Sequence, residues 1–171
     1  MSPPALCLTA RLGFRQTVQH GERNDPPGGC FRSGRYHRLL ADDELGRSRE
    51  DVSIPLNSNY VAAFHAIQAD PHQLLVVAVH REHVVGTLQL SFIPGLSRLG
   101  SWRGQIEAVR ITADHRRIGL GRNLVEWAIA QCRERGCQLV QLTTDKCRLD
   151  ARRFYERLGF VATHEGYKLL L

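Results

Sequence analysis

The sequence predicts an α/β domain with a mixed sheet, and two observations carry that prediction. Apolar residues alternate along the chain between strand spacing and helix spacing, in the order helix, helix, hairpin, strand, helix, strand, helix, strand. The 171 residues, 43% hydrophobic and 23% charged, suit one domain with a sizeable core. That domain is expected over residues 39–171. Residues 1–38 are expected to form an irregular, Gly-, Pro- and Arg-rich segment, in which only Leu6 to Phe14 could make a first strand.

Tyr36 to Leu45 reads as a short helix carrying Asp42, Asp43 and Glu44. Asn57 or Ser58 opens the next helix, on which Tyr60, Phe64 and Ile67 share a face, and Asp70-Pro71 stops it. Leu74 to Val79 and Val84 to Phe92 form a hairpin around Arg81-Glu82-His83, followed by a loop to Arg103. Gly104 to Ile111 is a third strand whose apolar phase slips by one residue between Ala108 and Val109. Either a β-bulge or burial on both faces would produce that slip.

Gly119 to Arg135 is the strongest helix, with Leu120, Leu124, Ala128 and Cys132 on one face and Gly136 placed to end it. Gln138 to Thr144 is a strand and Ala151 to Leu158 a helix closed by Gly159. Phe160 to Leu171 is extended, as two short strands broken near Glu165-Gly166.

The net charge of +6 invites a nucleic-acid reading, but residues 1–38 hold six arginines against two acids, whereas residues 39–171 hold 17 basic and 15 acidic residues. No basic stripe interleaved with aromatics is present, so no nucleic-acid partner is expected. No apolar run reaches the roughly 18 residues of a membrane span, and no secretory signal is evident. No membrane partner is expected, and the cytoplasm is the expected compartment. Cys7, Cys30, Cys132, Cys137 and Cys147 form no C-x-x-C pair, so reduced, mostly buried thiols and no metal are expected.

The segment Arg116-Arg117-Ile118-Gly119-Leu120-Gly121-Arg122 lies between a strand and the strongest helix. Unpaired N–H groups of a first helical turn, glycines that admit close approach and three arginines make a site for a phosphate-rich ligand. A dinucleotide fingerprint would need glycine at Leu124, and a P-loop would need Gly-Lys-Ser/Thr. A tight turn with solvated arginines is the plain structural alternative.

Residues Ile106 to Gly121 resemble the strand-loop-helix of the GNAT superfamily of N-acetyltransferases, whose pyrophosphate loop reads [QR]-x-x-G-x-[GA]. Asp150-Ala-Arg-Arg-Phe-Tyr-Glu-Arg-Leu-Gly-Phe160 is similar to that superfamily's A-x-x-F-Y-x-x-x-G-F segment. The pairing of the two is more specific than either alone, and the resemblance covers residues 39–171. It implies a mostly antiparallel mixed central sheet flanked by helices, with strands splayed at an acetyl-CoA site. The backbone of Val109, Arg110 and Ile111 would meet the pantetheine arm and acetyl carbonyl. Arg116 and the amides of Arg117, Ile118, Gly119, Leu120, Gly121 and Arg122 would hold the pyrophosphate.

Tyr155 matches the tyrosine that protonates the departing thiolate, and Glu107 matches a strand carboxylate that serves as base in many members. Tyr155 could instead be a core aromatic, and Glu107 could be solvated or paired with Arg110. Arg148 stands where many members carry asparagine, and the usual apolar-Arg-x-Ala first strand is not recognisable. The resemblance implies direct transfer of an acetyl group from acetyl-CoA to a primary amine on a small molecule, peptide or protein. A homodimer is left open. The alternative is a catalytically silent acyl-CoA-binding or regulatory module of the same fold.

Overall fold

The computed structural model describes residues 13–16, 35–42, 46, 48–81 and 83–171. Five strands form one sheet in sequence order: β1 (Gly13–Gln16), β2 (Gln73–His80), β3 (His83–Pro94), β4 (Trp102–Ile111) and β5 (Leu139–Leu142). The first four neighbours are antiparallel, and β5 joins β4 in parallel. The helices are α1 (Arg35–Leu40), α2 (Ser58–Ala69), α3 (Leu120–Glu134) and α4 (Leu149–Glu156). The mixed, mostly antiparallel α/β architecture is the one the sequence predicts.

Strand β2 reads as an unbroken apolar run because both of its faces are buried. Leu74, Val76 and Ala78 join a core with Leu88, Leu90, Ile106 and the inner face of α3. Leu75 and Val77 turn the other way and pack with Phe64, Tyr60 and Ile67 of α2. The Asn57 side chain caps α2 by accepting from Asn59 N at 3.0 Å. Helix α3 buries Leu120, Leu124, Val125, Ala128 and Cys132, each side chain contributing about 1.5–3 kcal/mol for the larger aliphatics. Gly136 follows it with φ 72°, the left-handed stop that the sequence suggested.

The slip in β4 is a bulge. Thr87 pairs with Arg110 and Gln89 with Glu107, so Leu88 alone faces both Ala108 and Val109, and Ala108 has φ 50°.

Several expectations need correction. The first described strand is Gly13–Gln16, pairing antiparallel to β2; it takes in the last two residues of Leu6 to Phe14 and runs past them, and 6–12 lie outside the described residues. The first helix ends at Leu40, and Asp43 to Leu45 lie outside the described residues. The loop before β4 contains a helical turn, Ser97–Gly100, with positive φ at Arg98 and Leu99.

Cys147 is exposed rather than buried, whereas Cys132 is buried and Cys137 half-buried; Cys7 and Cys30 lie outside the described residues. Residues 160–171 are assigned to no strand, and no strand among the described residues runs beside them to complete a ladder. No helix among the described residues is long and apolar enough to cross a membrane.

Gly104 is where α3 approaches the sheet most closely, since a Cβ there would overlap Cys132 Sγ. Gly104→Ala should lower stability by about 1–3 kcal/mol through overpacking. Cys132→Ala in the same chain should recover part of that loss by removing the clashing sulfur. Urea titration of the two single variants and the double variant reads the coupling.

Candidate active site

The parallel ladder between β4 and β5 ends at Ile106↔Leu142, whereas β4 continues along β3 to Ile111. Beyond the bulge the two strands therefore part, and residues 107–111 line a gap with no strand opposite among the described residues. Thr112 N donates to Val85 O at 2.9 Å. By the two-residue alternation of an antiparallel ladder, the peptide groups of Arg110 turn to β3 and those of Val109 and Ile111 turn to the gap. Both gap-facing carbonyls accept from guanidinium groups: Val109 O from Arg110 NH1 at 3.0 Å and Ile111 O from Arg116 Nε at 2.9 Å. The N–H groups of Val109 and Ile111 are the donors that the strand offers there.

The loop from β4 runs through a short 3₁₀ turn, Ala113–His115, to the start of α3. Arg117 (φ 65°) and Gly119 (φ 89°) are both left-handed, and Gly119 is the N-cap without any side-chain cap bond. The first-turn N–H groups thus have no capping side chain, and Arg117, Ile118 and Gly119 are exposed. Gly121 brings this turn beside Ile111 of β4 and Phe154 of α4. The loop, the gap-facing strand and α4 therefore meet at one place. A cleft of about 440 Å³ lies between α3 and the residues that follow α4, lined by Arg122, Glu126, Ile129, Arg133, Arg157 and Leu158. Arg122 pairs with Glu126 on its wall at 3.3 Å.

Tyr155 is half-buried on α4, with ring centroids 5.0 Å from Phe154 and 5.9 Å from Phe160. Burial pushes its phenol above the ordinary value, while the charges of Arg148 and Arg110 pull it down. Glu107 is exposed and makes no side-chain hydrogen bond or ion pair among the described residues, so the pair with Arg110 considered from sequence does not form. Arg110 instead donates to Leu40 O at 3.4 Å and to Val109 O. Glu107 and Tyr155 lie on opposite sides of the sheet. Glu107 shares the face of Gln89 and Leu75, which α2 covers, and Tyr155 packs on the face that α3 covers. The gap is the opening between them.

Asp42 does not face an acceptor region as a free carboxylate. It accepts from Arg116 NH2 and from Ala113 N, each at 3.2 Å, and its carbonyl accepts from Arg116 NH2 at 2.8 Å. Arg116 is thus a strap between the end of α1 and the glycine loop, a role that sequence reasoning missed. His115 donates or accepts with His80 Nδ1 and Thr112 Oγ1, each at 3.0 Å, and so braces the same loop. Burial pushes the Cys132 thiol up to about 12, aided by Cys137, which fits packing rather than nucleophilic chemistry. No group of three or more candidate metal ligands occurs among the described residues.

The chain matches the Acetyltransferase (GNAT) family over residues 38–160 and belongs to it. It is 32% identical over 101 residues to the aminoalkylphosphonate N-acetyltransferase of Salmonella typhimurium, a match spanning 59% of this chain and 65% of that relative. Among solved structures it resembles a transcriptional regulator from Bacillus halodurans C-125 at 45% identity and TM-score 0.83, covering 94% of this chain and 99% of that one. An acetyltransferase from Trypanosoma brucei is 26% identical with TM-score 0.68, over 94% and 99% of the two chains. The family uses acetyl-CoA.

The strap is exposed enough to be screened, with side-chain exposures of 45% for Arg116 and 37% for Asp42. Asp42→Ala should cost no more than about 1 kcal/mol. A double-mutant cycle with Arg116→Ala, read by urea melts, should give a coupling of the same small size.

Proposed function

We propose that this chain is an acetyl-CoA-dependent N-acetyltransferase that passes the acetyl group directly to a primary amine. One observation carries the reading: the uncapped start of α3 lies beside Ile111 of β4, past the end of the β5 ladder, and beside Phe154 of α4, the neighbour of Tyr155. The residues suit the cofactor. N–H groups from Arg117 to Arg122 with the helix dipole favour a pyrophosphate. The cleft arginines favour further phosphate charge.

Bound acetyl-CoA supplies the acetyl group as a thioester. The N–H of Val109 or Ile111 holds the carbonyl oxygen as negative charge gathers on it. Glu107, on the other side of the sheet, removes the proton of the attacking amine through water. Tyr155 gives its proton to the sulfur as the C–S bond breaks, and the proton taken by Glu107 passes to solvent while solvent returns one to the phenolate, so both groups end as they began. Cysteine plays no nucleophilic part.

The acceptor is proposed to be a small amine, and the name of the Salmonella relative makes aminoalkylphosphonates the first to try. A second reading, a regulatory module that binds the cofactor without consuming it, is favoured by the name of the Bacillus halodurans protein. Free-thiol release over a panel of aminoalkylphosphonates, aminoglycosides and peptide amines separates the two. Release with any of them supports the enzyme, and a melting shift with acetyl-CoA but no release across the panel supports the regulator.

Acetyl-CoA at about 100 times its Kd should stabilise the fold by about 2.7 kcal/mol. Gly119→Glu should abolish that shift, since it adds a negative side chain at a left-handed position of the loop. An unchanged shift would put the pyrophosphate elsewhere.

Tyr155→Phe keeps the ring packing and removes the proton, so turnover should fall about 10²-fold with a near-normal acetyl-CoA melting shift. The raised phenol pKa adds a sign: the acid form is complete at neutral pH. Turnover should therefore rise as the amine deprotonates and show no phenol-linked decline below about pH 10. Turnover within twofold of the parent in Tyr155→Phe would make Tyr155 a core aromatic.

A further inference from the structure

One face of the sheet carries a shelf of amide and hydroxyl side chains beside the gap. Gln73 of β2, Ser91 of β3, Gln105 of β4 and Gln141 of β5 lie in register across the four strands. In the next row Gln89 stands opposite Glu107. Ile106, Val140 and Leu142 turn toward α3, so strand alternation puts Gln105, Glu107 and Gln141 on the other face, with Leu75. Gln105 and Gln141 form the last rung but one before β4 and β5 part at Ile106↔Leu142. They therefore stand at the mouth of the gap, on the side of Glu107.

The shelf holds itself in place. Gln141 Nε2 donates to Gln105 Oε1 at 2.7 Å, and Gln89 Nε2 and Ser91 Oγ donate to Gln73 Oε1 at 2.8 and 3.4 Å. Gln73 Nε2 donates in turn to Asp70 Oδ2 at 3.2 Å. Gln141 and Glu107 are exposed, and Gln73, Gln89, Ser91 and Gln105 are half-buried. An amide has two donor hydrogens and two acceptor lone pairs, so one bond to a neighbour fixes it and leaves capacity for a ligand. An apolar molecule laid on the shelf would strip water from these groups and replace none of its bonds.

The arginines nearby are directed elsewhere. Arg103 shares the face by alternation, but its guanidinium lies beside Gly95, beyond the Ile93↔Arg103 rung and away from Glu107. Arg110 donates to Leu40 O and Val109 O, and Arg116 to Asp42. Within the two rows Glu107 is the one charged group.

Resting on the acetyltransferase reading above, we infer that Gln89, Gln105 and Gln141 select the acceptor, and that its amine is carried on a hydroxylated scaffold without an anionic group. The hydroxyls bond to the amides while the amine faces the gap. Glu107 attracts the incoming ammonium, and neither row supplies a cation for a phosphonate or carboxylate. The amides orient the scaffold and take no part in proton transfer.

The test uses the full chain with acetyl-CoA and reads free-thiol release from glucosamine, cyclohexylamine (a ring of the same size without hydroxyls) and 2-aminoethylphosphonate. Glucosamine should show the highest kcat/KM. Gln105→Leu should raise its KM about tenfold with kcat within about threefold, and lower the glucosamine-to-cyclohexylamine ratio of kcat/KM about tenfold. Comparing that ratio with the parent's cancels the basicity of each amine. If Gln105→Leu gives no cooperative urea melt, Gln89→Leu takes its place. A higher kcat/KM for either other amine, or a ratio unmoved in a folded variant, overturns the inference. If no amine releases thiol, the acetyltransferase reading falls, and calorimetry of glucosamine with the CoA-loaded protein decides the acceptor shelf separately. Binding that a folded variant weakens about tenfold upholds it. Absent binding, or binding indifferent to the substitution, overturns it.

Discussion

The extra residue in β4 is the constraint from which the rest of the site follows. From Arg103 to Ile106, β4 holds β3 on one side and β5 on the other. Past Ile106 it parts from β5, and at Ala108 it takes φ 50° and slips by one residue against β3. Peptide groups released in this way cannot be left bare, because an unpaired buried group costs about 1–3 kcal/mol. Arg110 and Arg116 fold back to satisfy the carbonyls of Val109 and Ile111. The donors on the same edge remain for a ligand. A site able to bind an oxygen is thus the by-product of one inserted residue and two arginines that neutralise only the acceptor half of the edge.

The strap on Arg116 shows how the loop beyond β4 is kept in place. Its guanidinium ties Ile111 O to Asp42 and so joins the end of α1 to the start of the glycine loop. His115 adds a second brace to β2 through His80. Each contact is weak alone, being exposed or half-exposed. Together they hold two left-handed residues, Arg117 and Gly119, in the conformation that leaves the first turn of α3 open. Arg116 is therefore occupied by the protein itself. The exposed Arg117 and the backbone carry the positive field at the loop.

The readable parts of the sequence were those with a period or a phase. Helix α3 declared itself through Leu120, Leu124, Ala128 and Cys132, all of which are buried. The bulge was visible as a slip between Ala108 and Val109, with burial on both faces as the alternative that the sequence alone left open. Contacts between distant residues had no such signal. Arg116 and Asp42 are 74 residues apart, and nothing in either segment marks the other. The first strand was missed for a related reason. Phe14-Arg15 stands more than 50 residues before β2, and Thr17 takes the place where alanine was sought. The two strands expected in 160–171 have no ladder partner among the described residues, and a strand is defined by its ladder rather than by its side chains. The thiols were expected to be mostly buried from residue type alone, and Cys147 is the exposed one among those described, in a surface loop with Asp145, Lys146 and Arg148.

The sheet also separates the two proton transfers that the proposed reaction requires. Glu107 stands before the bulge on the α2 face, in contact with solvent, from which the proposed reaction would draw its relay water. Tyr155 stands on the α3 face among Phe154 and Phe160, where burial favours the neutral phenol. In the proposed reaction one group would take a proton and the other give one, on opposite faces of the sheet. Arg148 and Arg110 complete the arrangement. They oppose the effect of burial on the phenol, so the phenolate left after donation would be formed beside two positive charges. Burial alone would make the phenol a poor donor, and exposure beside the arginines would lower its pKa toward loss of the proton. The half-buried position on α4 lies between these limits, which is what a donor to a thiolate needs.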